Sequence, residues 1–137
     1  MSELKCIVVT PEGSKVEQPA EFVALPLFDG EIGIAPGRGP LIGRLGAGEL
    51  RITHEQEVSR YYVESGFVEV VDDEVTLLAN RIVPAEALDA AVLEQQLARA
   101  SAHPAATPEE MAQRDRAVAL TRAQLRVARR AGEQTPN

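Results

Sequence analysis

The rhythm of apolar and polar positions along this chain changes once, near residue 84. Before that point, short β-branched or alternating runs are cut by turn residues every few positions, with no 3.6-residue period. Residues 4–10 form the first run, ended by Pro11-Glu12-Gly13. Val16 and then Phe22-Val23-Ala24-Leu25 follow, with Pro19 and Pro26 confining them to strand ends or edges. Asp29-Gly30 reads as a turn, and Gly33, Pro36, Gly37, Gly39 and Pro40 predict an irregular stretch after it. Residues 50–53 and 58–63 are strand-like, joined through His54-Glu55-Gln56-Glu57. Residues 67–71 and 75–79 flank Asp72-Asp73, which reads as a further hairpin. Strands this short, with turns this frequent, predict an antiparallel β-sandwich over residues 1–83.

From Pro84 onwards alanine dominates and glycine is absent until Gly132. Residues 85–100 predict a helix with Pro84 at its first turn, and Leu93, Leu97 and Ala100 recur at i, i+4 and i+7. Leu88 and Val92 widen that stripe. His103-Pro104-Ala105-Ala106 breaks the pattern. Thr107-Pro108-Glu109-Glu110 then reads as a helix start: Thr as N-cap, Pro at the first position, acids in the first turn. This second helix is expected to reach Arg130 and stop at Gly132. Met111, Val118 and Leu125 repeat every seven residues, a thin seam suited to an antiparallel partner. The fold class is therefore α+β, with an N-terminal antiparallel β-sandwich (residues 1–83) followed by a C-terminal antiparallel two-helix hairpin (residues 84–137).

Charge sharpens this division. The formal net charge is −7 over 137 residues. Residues 1–83 carry 7 basic and 14 acidic side chains and so hold the whole excess, while residues 84–137 carry 7 of each. Between Arg114 and Arg130 six arginines face one acid, Asp115. An acidic body with a cationic tip points to an electrostatic protein partner, not to nucleic acid, since no aromatics interleave with the basic residues. No apolar run approaches the ~20 residues a membrane-spanning helix needs, and the N-terminus lacks the layout of a secretory signal, so a cytoplasmic location is expected.

The candidate chemistry is sparse. His54 and His103 lie apart and Cys6 stands alone, so no metal-ligand spacing is present. Ser65-Gly66 lacks a nucleophile-elbow pattern, and no Gly-Lys-Ser/Thr follows the glycines at 30, 33, 37 and 39. Catalytic residues, cofactor and metal are all expected to be absent. A small-ligand pocket is disfavoured by the shortage of aromatics (no Trp, two Tyr, three Phe). What is left is a docking subunit, or else a free-standing regulatory adaptor that binds an acidic protein through its basic helix.

One segment is more particular than a set of turns. Residues 25–41, LPLFDGEIGIAPGRGPL, closely resemble the central signature of the epsilon subunit of F-type ATP synthases, LPxxxGEIGIxPGHxPLL. Val8-Val9-Thr10-Pro11-Glu12-Gly13 resembles that family's opening, and Leu50-Arg51-Ile52 its next strand. Tyr62 to Val70, YVESGFVEV, resembles the family's xVSGGFxEV block. Val75-Thr76-Leu77-Leu78-Ala79 and Ala123-Gln124-Leu125-Arg126-Val127 resemble the following strand and the second helix. The likeness runs in order over nearly the whole chain.

The resemblance implies a non-catalytic rotor subunit on the cytoplasmic face of the inner membrane. Its sandwich would bind the gamma subunit and the ring of c subunits, linking ion translocation to ATP synthesis. Its helical arm would extend to an acidic segment of the beta subunits and brake ATP hydrolysis. By motif, Glu31 and Arg38 fall in the segment facing the c-ring, where the family commonly has histidine in place of Arg38. Arg114, Arg122, Arg126, Arg129 and Arg130 are the candidates for the beta contact. The family's ATP-binding motif, (I/L)DxxRA, corresponds here to Leu88-Asp89-Ala90-Ala91-Val92-Leu93, with Val92 in the arginine's place, so no regulatory ATP site is expected.

Overall fold

The computed structural model describes residues 3–134. The chain divides into two compact units, Met1–Pro84 and Ala85–Asn137. The first contains eight strands: β1 (Leu4–Thr10), β2 (Gly13–Ala20), β3 (Phe22–Leu27), β4 (Gly30–Ile34), β5 (Leu41–Arg44), β6 (Gly48–His54), β7 (Glu57–Val71) and β8 (Glu74–Pro84). They hydrogen-bond in the order β2-β1-β8-β7-β6-β3-β4, with β5 also beside β7, and the sheet folds into a sandwich. Strands that follow one another through short turns pair antiparallel, as the sequence predicts. β1 and β8 are the exception and run parallel. No turn links these two, so the hairpin rule that fixes the other pairs does not reach them.

The two-residue period of a strand decides which side chains fill the sandwich. Along β1, Leu4, Cys6, Val8 and Thr10 are buried while Lys5, Ile7 and Val9 face outwards. Val23 and Leu25, Leu50 and Ile52, Val68 and Val70, and Val75 and Leu77 meet them in one core. Each fully buried aliphatic side chain contributes about 1.5–3 kcal/mol. Burial pushes the Cys6 thiol up to about 12, so it stays protonated and acts as a small hydrophobe.

The strands differ from the sequence reading in several places: β5 is not among the expected strands, and β8 runs on to Pro84, past the expected end at residue 79. Residues 30–34, expected to be irregular, form β4 in a tight hairpin with β3, from Leu27↔Gly30 to Val23↔Ile34. Gly33 permits this because a Cβ there would collide with the Phe22 ring, which covers its backbone. Residues 58–63 and 67–71, expected as separate strands, belong to one fifteen-residue strand, β7. It bends at Ser65 and Gly66, whose φ angles are 58 and 119. Before the bend β7 lies against β6, and after it against β5.

Two hairpins use two-residue loops with both residues left-handed: Glu55-Gln56 (φ 52 and 70) and Asp72-Asp73 (φ 50 and 62). This is the type I′ pattern, which favours glycine at its second position. Gln56→Gly is expected to stabilise the protein by about 0.5–1 kcal/mol, since it removes a left-handed non-glycine residue from the turn. Calorimetry should show Tm rising by roughly 2–5 °C; a fall would mean that residue 56 is not left-handed in solution.

In the second unit a 3-10 turn (Ala85–Ala87) precedes α1 (Ala90–Ala102) and α2 (Pro108–Gln134). α1 begins later than the predicted residue 85, because Asp89 caps it: Oδ1 accepts from the Ala91 and Val92 amides at 3.0 and 3.3 Å. α2 starts where predicted. Thr107 Oγ1 accepts the Glu110 amide at 3.1 Å and donates to the Glu110 carboxylate at 3.2 Å, while Pro108 occupies the first turn. α2 continues through Gly132 instead of stopping there, because Gly132 does not take the positive φ of a terminating glycine. Leu93, Leu125 and Ala128 form the small core of the hairpin, with Leu88, Ala90 and Leu97 around it. Of the expected seam, Leu125 is buried and Val118 half-buried, but Met111 is exposed. No helix of the described residues is long and apolar enough to cross a membrane.

Candidate functional site

Three features outside the cores are candidates for contact with other molecules. The first is a stripe across the outer face of the sandwich. Register places Val9 beside Leu78, Leu78 beside Phe67, and Phe67 beside Arg44. The Phe28 amide donates to the Arg44 carbonyl at 3.0 Å, and the Arg44 guanidinium lies 5.7 Å from the Phe28 ring centroid. Ile42 stands two residues along β5 on the same face. Phe28 is 69% exposed, Ile42 75%, Phe67 55% and Leu78 54%. Four large apolar side chains open to water on one face mark an interaction surface more often than chance.

The sequence reading missed this stripe, although a signal was there. Leu77-Leu78, Phe67-Val68 and Leu41-Ile42 are adjacent apolar pairs within strands. A strand sends neighbours to opposite faces, so one member of each pair must leave the core. Leu77 and Val68 turn inwards, which leaves Leu78 and Phe67 outside.

The second feature surrounds β4, and Glu31 and Arg38 lie at opposite ends of it. Glu31 forms a bidentate pair with Arg51, at 3.0 and 3.1 Å. Arg51 also donates to Glu49 at 3.0 Å, and Arg60 reaches the same Glu49 oxygen at 3.2 Å. Hydrogen bonding to Glu31, then to Glu49, holds the Arg51 guanidinium charged even more firmly than usual. Arg38 is exposed on the turn that follows β4. Its amide donates to the Ala35 carbonyl at 3.3 Å, and the Gly37 amide donates to Asp73 Oδ1 at 2.8 Å. The structure therefore ties Glu31, itself exposed, into an ion network with Arg51 and Glu49 and places Arg38 on the exposed turn beyond β4.

The third feature is the cationic face of α2. Arg122, Arg126, Arg129 and Arg130 fall at i, i+4, i+7 and i+8, within an arc of about 100°. All four are exposed. Arg129 reaches across the hairpin to Glu94 at 2.9 Å. Arg114 stands apart, about 12 Å further back along the axis, half-buried and 3.9 Å from Asp115. Asp89, the acid of the ATP-motif stretch, is committed to capping α1, and Val92 beside it is exposed. Among the described residues no group of three metal-ligating side chains converges.

The chain is thus a β-sandwich followed by a helical hairpin, with an apolar stripe exposed on the first and a cationic face on the second. Residues 3–85 match the family model described as ATP synthase, Delta/Epsilon chain, beta-sandwich domain. The ATP synthase epsilon chain of Rhodopirellula baltica is 45% identical over 126 residues, covering 92% of this chain and 98% of that one. That of Desulfitobacterium hafniense is 45% identical over 82 residues, or 60% of this chain and 62% of its own. In fold, the chain matches one in the Euglena gracilis mitochondrial ATP synthase, with a TM-score of 0.83 at 19% identity over 98% of this chain and 83% of that one. A central-stalk chain of the Tetrahymena thermophila enzyme gives 0.71 at 13% identity over 91% and 96%. The chain belongs to the ATP synthase epsilon chain family.

Proposed function

We propose that this chain is a non-catalytic subunit of the rotating central stalk of an F-type ATP synthase, coupling ion translocation to ATP synthesis. The observation that carries this reading is the outer stripe of Phe28, Ile42, Phe67 and Leu78, an exposed apolar patch of the kind that marks protein–protein contact sites. In this reading the stripe seats the gamma subunit. The β4 end of the sandwich, with Arg38 and the Glu31–Arg51 pair, meets the c-ring and holds the chain peripherally at the cytoplasmic face of the membrane. The arginines of α2 brake hydrolysis by pairing with an acidic segment of the beta subunits. Exposed pairs contribute only about 0–1 kcal/mol each, so the brake needs several acting together.

The test is ATP hydrolysis by a reconstituted alpha-beta-gamma complex, with and without the full chain. Wild type is expected to bind and slow hydrolysis. A variant carrying Arg122→Ala, Arg126→Ala, Arg129→Ala and Arg130→Ala is expected to bind as tightly and lose most of the inhibition, more visibly at low salt. Equal inhibition by both would discard the brake and leave the coupling role standing. Failure of the wild-type chain to bind would discard the rotor assignment itself.

A further inference from the structure

The turn that presents Arg38 is held by a residue that lies outside the signature segment. Residues 35–38 form a type II turn: the Ala35 carbonyl accepts the Arg38 amide at 3.3 Å, Pro36 fixes the second position, and Gly37 takes φ 87 at the third. Such a turn leaves the Gly37 N–H with no acceptor inside it. Asp73 Oδ1, 36 residues away in sequence, takes that N–H at 2.8 Å. Among the described residues, this is the one hydrogen bond that ties residues 36–40 to another element.

Asp73 is itself well anchored. It occupies the left-handed second position of the β7–β8 turn, with φ 62, and its carbonyl accepts the Lys5 amide of β1 at 2.9 Å. One residue thus joins β1, the β7–β8 hairpin and the Arg38 turn. A hairpin loop needs only a residue that tolerates positive φ, and glycine does that better than aspartate. The carboxylate therefore adds something the turn alone does not require.

We propose that Asp73 is a positioning residue: its carboxylate clamps the Gly37 amide and so sets the pose in which Arg38 meets the membrane ring, a role that rests on the docking reading above. The bond removes freedom that Gly37 would otherwise retain. Without it, Arg38 would be carried by a Pro-Gly-Arg-Gly-Pro segment linked only through its ends.

Two full-length variants separate the clamp from the turn. Asp73→Gly keeps positive φ and removes the acceptor; Asp73→Asn keeps an oxygen in the same place. Amide exchange of Gly37 and Arg38 is expected to speed up about tenfold in Asp73→Gly and to stay within about twofold of wild type in Asp73→Asn. Affinity for a synthase stripped of this subunit but retaining its ring should fall about three- to tenfold in Asp73→Gly, with Asp73→Asn close to wild type. Affinity for an alpha-beta-gamma complex without the ring should not change in either.

The proposal is overturned if Gly37 exchange is unaffected in Asp73→Gly, or if Asp73→Asn exchanges as fast. It is also overturned if the turn loosens while ring-dependent affinity holds, or if both complexes lose affinity equally. Should the wild-type chain bind neither complex, the docking reading and the positioning role fall together, and the exchange data still report whether the clamp exists.

Discussion

Gly66→Ala is expected to unfold the sandwich or leave it barely stable. Gly66 sits at the bend of β7 with φ 119, a backbone conformation that side-chain-bearing residues rarely adopt. A Cβ at this position would collide with the Leu78 carbonyl oxygen, and would lie 2.9 Å from the Leu78 carbonyl carbon and 3.1 Å from Ala79 Cα. All three atoms are backbone of β8, paired with β7 through Gly66↔Ala79, so none can yield without opening the ladder. The strained φ alone costs about 1–3 kcal/mol, and displacing the strand adds a comparable amount, against a total stability of roughly 5–15 kcal/mol. A thermal melt should show Tm falling by more than about 10 °C, or no folded protein at all. Gly132→Ala is the control: it lies in α2 with nothing within 4 Å of a new Cβ, and should raise stability slightly. A wild-type melting curve for Gly66→Ala would mean that β7 does not bend there.

Ile42→Glu combined with Phe67→Glu is expected to leave the fold intact and abolish assembly with the gamma subunit. Both side chains are more than half exposed, so placing a carboxylate there buries no charge in the free protein, and stability should change by less than about 1 kcal/mol. In an interface the same carboxylates would face an apolar partner surface without compensating hydrogen bonds. That penalty is several kcal/mol, so affinity should fall at least a hundredfold. Titration calorimetry against a gamma-containing complex measures the loss, and circular dichroism confirms the fold. Undiminished affinity in the double variant would remove the outer stripe as the gamma contact. It would also shift attention to the Arg38 turn and the α2 arginines.

Much of the fold was legible in the sequence because its signals are local. Turn residues such as Asp29-Gly30 and Asp72-Asp73 need only their own backbone preferences to bend the chain. Thr107-Pro108-Glu109-Glu110 caps α2 with groups three residues apart. The errors came where a local signal had two readings. Gly33 looked like a break but is the small residue that lets Phe22 lie over β4. Pro84 looked like a helix start, yet Asp89 has the better capping geometry and α1 begins after it. Gly132 looked like a stop, but a glycine ends a helix only when the next turn needs a left-handed residue.

The candidate contact residues divide in the same way. The α2 arginines were visible because a helical period of 3.6 converts spacing directly into a face. Arg38 was visible through the signature, but the partner that holds its turn was not, because Asp73 and Gly37 are 36 residues apart. Glu31 was visible too, while its bidentate pairing with Arg51 depends on which strands lie side by side.

By itself, then, the sequence determined the class of most elements (β4 and β5 excepted), the change from strands to helices near Pro84, the charge division and the family signature. Each of these follows from interactions within a few residues along the chain. Only the tertiary structure decided the parallel pairing of β1 with β8, the single bent β7, the apolar stripe and the Asp73 clamp. These depend on register between distant strands. A shift of one residue would turn Phe67 and Leu78 inwards and their neighbours out, and what resists that shift is the burial of the whole core at once.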